Sequence, residues 1–216
     1  MNLSAFMADG SNSMARAMAL YVSEKHSSSY NPCYIYGARG VGKSHLLNGI
    51  ALVLLQNEVN VLIGRISDKA GEKEESIRNF DTIIIDDFIF GEDNMEAILV
   101  DFVKGGGQLV LSGAKSPDVL PASPLADLIK ESGKSADISA PEEELKVAII
   151  KSKAHVEDIK LPHDVAHFIA ENMGSNITSL IGALKRVRAH ASLDGKEISR
   201  FAAIESLKDY IWTEEK

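Results

Sequence analysis

The sequence predicts an α/β protein: a parallel five-stranded sheet covered by helices, followed by a small all-α domain. Three observations carry that prediction. Short apolar runs of strand length alternate with amphipathic stretches up to about residue 140, the pattern of a sheet buried on both faces. One such run feeds a complete G-x-x-x-x-G-K-[ST] loop, Gly37-Ala-Arg-Gly-Val-Gly-Lys-Ser44, which opens a helix. After Pro141 the strand signal stops and every remaining stretch has helical periodicity. The expected division is therefore an α/β core over residues 1–140 and a helical domain over 141–216.

Asp9 to Ser13 offers helix caps, and Met14, Ala17, Met18 and Tyr21 follow at i, i+3, i+4 and i+7, which predicts a helix ending near the HSSS run. Cys33 to Tyr36 reads as a buried strand and Ser44 to Gln56 as a helix, with the glycine loop between them. In such a loop successive backbone N–H groups turn inward around phosphate oxygens, and the helix N-terminus adds partial positive charge. Lys43 supplies a point charge, and the Ser44 hydroxyl is a ligand for Mg²⁺. Val59 to Ile63 is a second apolar run, whereas Ser67 to Asn79 has no sustained apolar face and is expected at the surface.

Thr82 to Ile85 is a β-branched run closed by Asp86 and Asp87. It reads as a buried parallel strand of Walker B type that delivers two carboxylates at its C-terminal end. Asp86 is expected to hold Mg²⁺ through water, and Asp87 to act catalytically by polarising the attacking water. Asn94 to Lys104 predicts a helix closed by Gly105, Gly106 and Gly107, and Gln108 to Ser112 a fourth strand. Ser123 and Pro124 form an N-cap and N1 pair for a short helix, and Ala136 to Ile138 suits a fifth strand. Helices are then expected from Glu142 to about His155, from Leu161-Pro162 to Gly174, from Asn176 to about Leu193 and from Ser199 to about Trp212.

Composition narrows the function. The formal net charge of -8 argues against a protein whose main work is gripping nucleic-acid backbone, which needs a basic face. No apolar run reaches the roughly 18 residues of a membrane span, and the opening MNLSAFMADG lacks the plan of a signal peptide. The single Cys33 lies inside a strand, so no disulfide forms within the chain and a reducing, cytoplasmic location is expected.

With both halves laid out, the chain resembles the central ATPase domain of the bacterial replication initiator DnaA and its short paralogues, such as the regulator Hda, within the AAA+ class. The resemblance rests on FMADGSNSMARAMALYVSE, YNPCYIYGARGVGKSHLLNGI, TIIIDDFIFG, QLVLSGAKSP and the GALKRV helix of the tail. It implies a five-stranded AAA+ sheet and a helical lid with ATP or ADP between them, held with Mg²⁺ by Ser44 and Asp86. The nucleotide contacts it implies are Gly37, Gly40, Val41, Gly42, Lys43, Ser44 and His45. Arg186 takes the second-sensor position, where a lid guanidinium reaches the terminal phosphate; on its own it would be one more cation of a basic helix. Asn12 matches the segment passing near the adenine, and by itself would serve equally as a helix cap.

Departures from the family pattern shape the functional expectation. Where relatives carry a T-S-D sensor, this chain has Ser112, Gly113 and Ala114, and Ser112 is a weak substitute. Where relatives carry an arginine finger, it reads Pro124-Leu-Ala-Asp-Leu-Ile-Lys130, with no Arg between Pro117 and Val147. Lys130 lacks the planar fork of Arg and is a poor stand-in. The segment where initiators insert extra helices is short and acidic, and the chain stops at Lys216, before an initiator's helix-turn-helix domain, so strong DNA binding is not expected. Asn2-Leu-Ser-Ala-Phe6 lacks the glutamine of a sliding-clamp peptide, so clamp binding is not expected either, and Leu3 and Phe6 fit the family's domain-opening apolar pair. The expectation is a nucleotide-binding regulator or accessory of replication initiation, with slow hydrolysis, a DnaA-type initiator as partner, and a monomeric or weakly oligomeric state. The alternatives are a DNA-handling ATPase of the helicase-loader or transposition-helper kind, which would need a basic face, and a P-loop kinase, against which the IDD and GALKRV segments speak.

Overall fold

The computed structural model describes residues 3, 6–24, 29–64, 77–91 and 93–211. Residues 67–76 of the expected surface stretch after the second strand, the start of the HSSS run, most of the first five residues and Trp212 lie outside the described residues; of the remainder of that stretch Arg78 and Asn79 are exposed, while Ile77 packs against the core. The chain divides into two compact units, Met1–Ala38 with Gly42–Ser139, and Arg39–Val41 with Ala140–Lys216.

The first unit is built on β1 (Cys33–Gly37), β2 (Val61–Gly64), β3 (Thr82–Ile85), β4 (Gln108–Gly113) and β5 (Lys134–Ile138). They form one sheet in the order β2-β3-β4-β1-β5, and all four pairings are parallel. Its helices are α1 (Ser13–Glu24), α2 (Lys43–Gln56), α3 (Asp93–Lys104) and α4 (Pro124–Glu131), with a 3-10 turn at Pro117–Val119. Side chains alternate along a strand, so one parity of the sheet (Tyr34, Ile83, Ile85, Leu109, Leu111) joins Leu99 and Phe102 of α3 and Leu125 and Ile129 of α4 in one core. The other parity, Ile35, Ile84 and Val110, is buried as well, which is why these strands read as unbroken apolar runs. Leu3 and Phe6 are buried too, with Leu3 seated beside Gly49 of α2.

Local chemistry sets the ends of these elements. Ser123 accepts the Ala126 N–H (3.2 Å) and Pro124 follows it, so α4 starts where the N-cap and N1 pair places it. Strand β5 begins two residues earlier than the sequence suggests, at Lys134. It is an edge strand paired only with β1, and its exposed Lys134, Ser135 and Asp137 give no apolar signal.

The second unit is helical: α5 (Glu143–Val156), α6 (His163–Asn172), α7 (Ile177–Leu193) and α8 (Arg200–Ile211). Ile150, Val165, Ile169, Leu184, Val187 and Leu207 lie at its centre. Asn176 caps α7 by accepting the N–H groups of Thr178 (2.9 Å) and Ser179 (3.2 Å). Among the described residues no helix is long and apolar enough to cross a membrane.

A candidate nucleotide site at the strand ends

The parallel register brings the chemistry of the first unit to one edge of its sheet, because every strand ends on the same side. Strand β1 runs into the glycine loop and α2, β3 into Asp86 and Asp87, and β4 into Ser112. Gly40 (φ +82°) and Gly42 (φ +114°) hold left-handed backbone that side-chain-bearing residues rarely adopt. Gly42 is the N-cap of α2, and no side chain caps that terminus. Its first-turn N–H groups, which have no acceptor within a helix, are therefore available to an anion.

Lys43 is buried, and its ammonium donates to the Gly37 carbonyl (2.8 Å) and the Ala38 carbonyl (2.9 Å). The Asp87 carboxylate lies 4.0 Å away. Burial lowers the Lys43 pKa from its ordinary 10.5, while the charges of Asp87 and Asp86 work in the opposite direction. A cation turned on carbonyls of the loop itself is a group that a phosphate can recruit.

The acids are held by a residue to which the sequence assigns a lesser role. Ile85 pairs with Leu111, so the next residues, Asp86 and Ser112, fall side by side. The fully buried Ser112 hydroxyl donates to Asp86 Oδ1 (2.6 Å) and accepts the Asp87 N–H (2.9 Å), while its carbonyl accepts the Phe88 N–H (2.7 Å). These three bonds fix a turn in which Asp87 takes φ +53°, a conformation that Asp tolerates better than most residues. The sequence shows a hydroxyl at the end of β4, but that β4 lies beside the acidic strand is known only from the sheet order.

The neighbouring Gly113 has a steric cause. The Tyr34 hydroxyl crosses over it to donate to the Lys115 carbonyl (2.7 Å), and a Cβ at 113 would collide with that hydroxyl. A serine at the middle position of the family's sensor triplet would therefore press on a side chain of β1.

The remaining residues that the sequence singles out each have their own surroundings. Ser44, the hydroxyl after Lys43, opens the first turn of α2. His45 follows it, half-buried, with its ring 5.8 Å from that of Phe6; its Nε2 is buried without a partner, and burial lowers its pKa. Val41 is buried. Asn12 does not cap α1 through its side chain, which turns back to accept the Asp9 N–H (3.1 Å) and donate to the Met7 carbonyl (3.1 Å). Arg186, in the helical unit, lays its guanidinium over the Tyr210 ring at 3.9 Å from the centroid. Lys130 is exposed at the end of α4.

A five-stranded parallel sheet, a phosphate loop after β1 and paired acids after β3 define a P-loop protein with the α/β AAA+ fold. More narrowly, the chain belongs to the bacterial DnaA ATPase domain family, whose profile matches residues 1–130. Domain III of the Thermotoga maritima replication initiation protein DnaA superposes with a TM-score of 0.88 at 28% identity, covering 97% of this chain and 96% of that one. AMPPCP-bound DnaA from Aquifex aeolicus follows at 0.79 and 21% identity, over 97% of this chain and 68% of the other. The Thermotoga maritima RuvB branch migration motor shares the fold at 0.75 and 16% identity, over 96% of this chain and 71% of that one.

Proposed function

We propose that this protein binds ATP or ADP through its phosphate loop and serves as a regulator or accessory of replication initiation, through contact with a DnaA-type initiator and with little hydrolysis of its own. The observation that carries the reading is an equipped phosphate edge in a chain that has no Arg between Pro117 and Val147. On this reading the N–H groups around Gly37, Gly40, Val41, Gly42 and His45 receive phosphate oxygens. Lys43 leaves its two carbonyls for the terminal phosphates, and Ser44 and Asp86 hold Mg²⁺. The donor set would fit that ion, one hydroxyl binding it directly and one carboxylate reaching it through water. The ion would supply charge neutralisation between phosphate oxygens. Asp87 orients water, Asn12 lies by the base, and Arg186 leaves Tyr210 for the last phosphate as the helical unit serves as a lid. DnaA structures similar to this chain hold the nucleotide analogue AMPPCP, in one case together with single-stranded DNA.

A subunit of this kind would accept an arginine finger without donating one, and a finger is worth several powers of ten in rate. It would end an assembly rather than close a self-activating ring. The experiment is phosphate release by the protein alone, across its own concentration, and mixed with the cognate initiator. Flat, near-background specific activity and no acceleration of the initiator are expected. Lys130→Arg is the substitution that tests the cause, because Lys130 is exposed whereas the adjacent Ile129 is buried in the core. Turnover that climbs steeply with protein concentration would overturn the reading, and tight sequence-specific retention of duplex DNA would favour a loader or initiator.

A further inference from the structure

The helical unit carries a group of side chains for which nucleotide chemistry has no use. Glu143 lies in the first turn of α5, and His167 and Glu171 lie one turn apart on α6. His167 Nδ1 is 3.3 Å from Glu143 Oε1, and one ligand atom from each of the three residues lies within 4.8 Å of the other two. One turn before His167, His163 stacks on its ring, with centroids 4.4 Å apart and planes 11° from parallel.

A simple ion pair accounts for only half of this. His167 with Glu143 would be complete in itself, yet the Glu171 carboxylate also stands within 4.8 Å of the Glu143 carboxylate. Two like charges so close are unfavourable unless a cation lies between them. The nearby Lys146 does not fill that place, since its ammonium donates to the Ala170 carbonyl at 3.2 Å. The spacing is also that of a metal-binding helix: residues i and i+4 project from one face, the arrangement by which paired helical side chains grip zinc.

We propose that Glu143, His167 and Glu171 form a surface site for a divalent transition ion of the zinc type. One imidazole with two carboxylates suits Zn²⁺ and its neighbours better than Mg²⁺ or Ca²⁺, which prefer oxygen alone. Ligand atoms on a tetrahedral zinc ion, at bond lengths of about 2.0–2.2 Å, lie about 3.3–3.6 Å apart. The trio therefore closes by about 1.5 Å at most, a movement open to two exposed carboxylates and a half-buried imidazole. Water completes the coordination, and the bound ion ties α5 to α6, within the helical unit.

The test is calorimetric titration of ZnCl₂ into the metal-stripped full chain in the presence of excess Mg²⁺. One equivalent is expected, with affinity weakened by about tenfold or more in His167→Ala, in Glu143→Gln and in Glu171→Gln. Asp86→Asn should leave the isotherm intact, because the site is distinct from the strand ends. Zinc should also raise the unfolding midpoint of the parent protein and not that of Glu171→Gln, whose mild change guards against a loss of folding in the alanine variant. Absence of binding overturns the proposal. So does an isotherm that is insensitive to all three substitutions, or one lost in Asp86→Asn alone.

Discussion

Lys43 and Ser112 show how much of a site depends on single hydrogen-bonding groups. Lys43 holds two loop carbonyls at 2.8 and 2.9 Å, a position from which it can exchange them for phosphate oxygens. Lys43→Ala should weaken ADP and ATP binding by about 1.5–3 kcal/mol, the usual worth of a charge-assisted contact, measured by calorimetry. Unchanged affinity would place the nucleotide elsewhere. Ser112→Ala would remove the partner of Asp86 Oδ1 and of the Asp87 N–H together. It should cost about 1–3 kcal/mol in urea unfolding, with the loss of the Asp87 turn showing as weaker Mg²⁺-dependent nucleotide binding. Motif spacing made Lys43 legible in the sequence at once. The contacts of Ser112 were not, because they depend on which strand lies beside β3, and pairing order is a property of the whole sheet.

At the scale of elements, legibility follows burial. The buried strand β3 has the limits its apolar run announces, Thr82 to Ile85, whereas β5 emerged only partly from the sequence because an edge strand carries exposed polar residues. Strands β1 and β4 meet through Tyr34 and Gly113, and that contact can be tested as a pair. Gly113→Ser should destabilise the protein by about 1–3 kcal/mol through overpacking against the Tyr34 hydroxyl. Tyr34→Phe in the same chain should recover part of the loss, and strict additivity of the two changes would show that they do not touch. In the helical unit, Glu157 follows α5 and accepts charge from Lys153 (2.9 Å), Lys185 (4.0 Å) and Arg188 (3.8 Å). The hydrogen bond from Lys153 is the main cause that holds its pKa below the ordinary 4.5. A carboxylate lowered in the folded state stabilises it above pH 4.5, and that contribution is lost as pH falls through the lower folded value. The unfolding midpoint should decline over that acid range, and Glu157→Gln should flatten that part of the decline.

Across the whole molecule, the change from alternating strand and helix signals to helix alone near Pro141 is visible in the sequence, and the chain divides into compact units between Ser139 and Ala140. The assignment of Arg39–Val41 to the helical unit is not visible there, since no local pattern reports a contact made across so many residues. One feature of β1 turns this architecture into a clock. Cys33 is the only cysteine, has no exposed surface, and lies on the strand flanked by β4 and β5; burial raises its thiol pKa to about 12. A thiol reagent can therefore reach it only when the sheet comes apart, so the labelling rate counts openings of the folded chain. Nucleotide held by the loop should slow that count by the factor 1 + [L]/Kd, about a hundredfold at a hundred times Kd. Lys43→Ala, by weakening that binding, should remove most of the delay. Labelling as fast as that of a free peptide thiol would mean that β1 is not locked at all, while a delay imposed by ADP or ATP would time-stamp occupancy of the loop without any hydrolysis being measured.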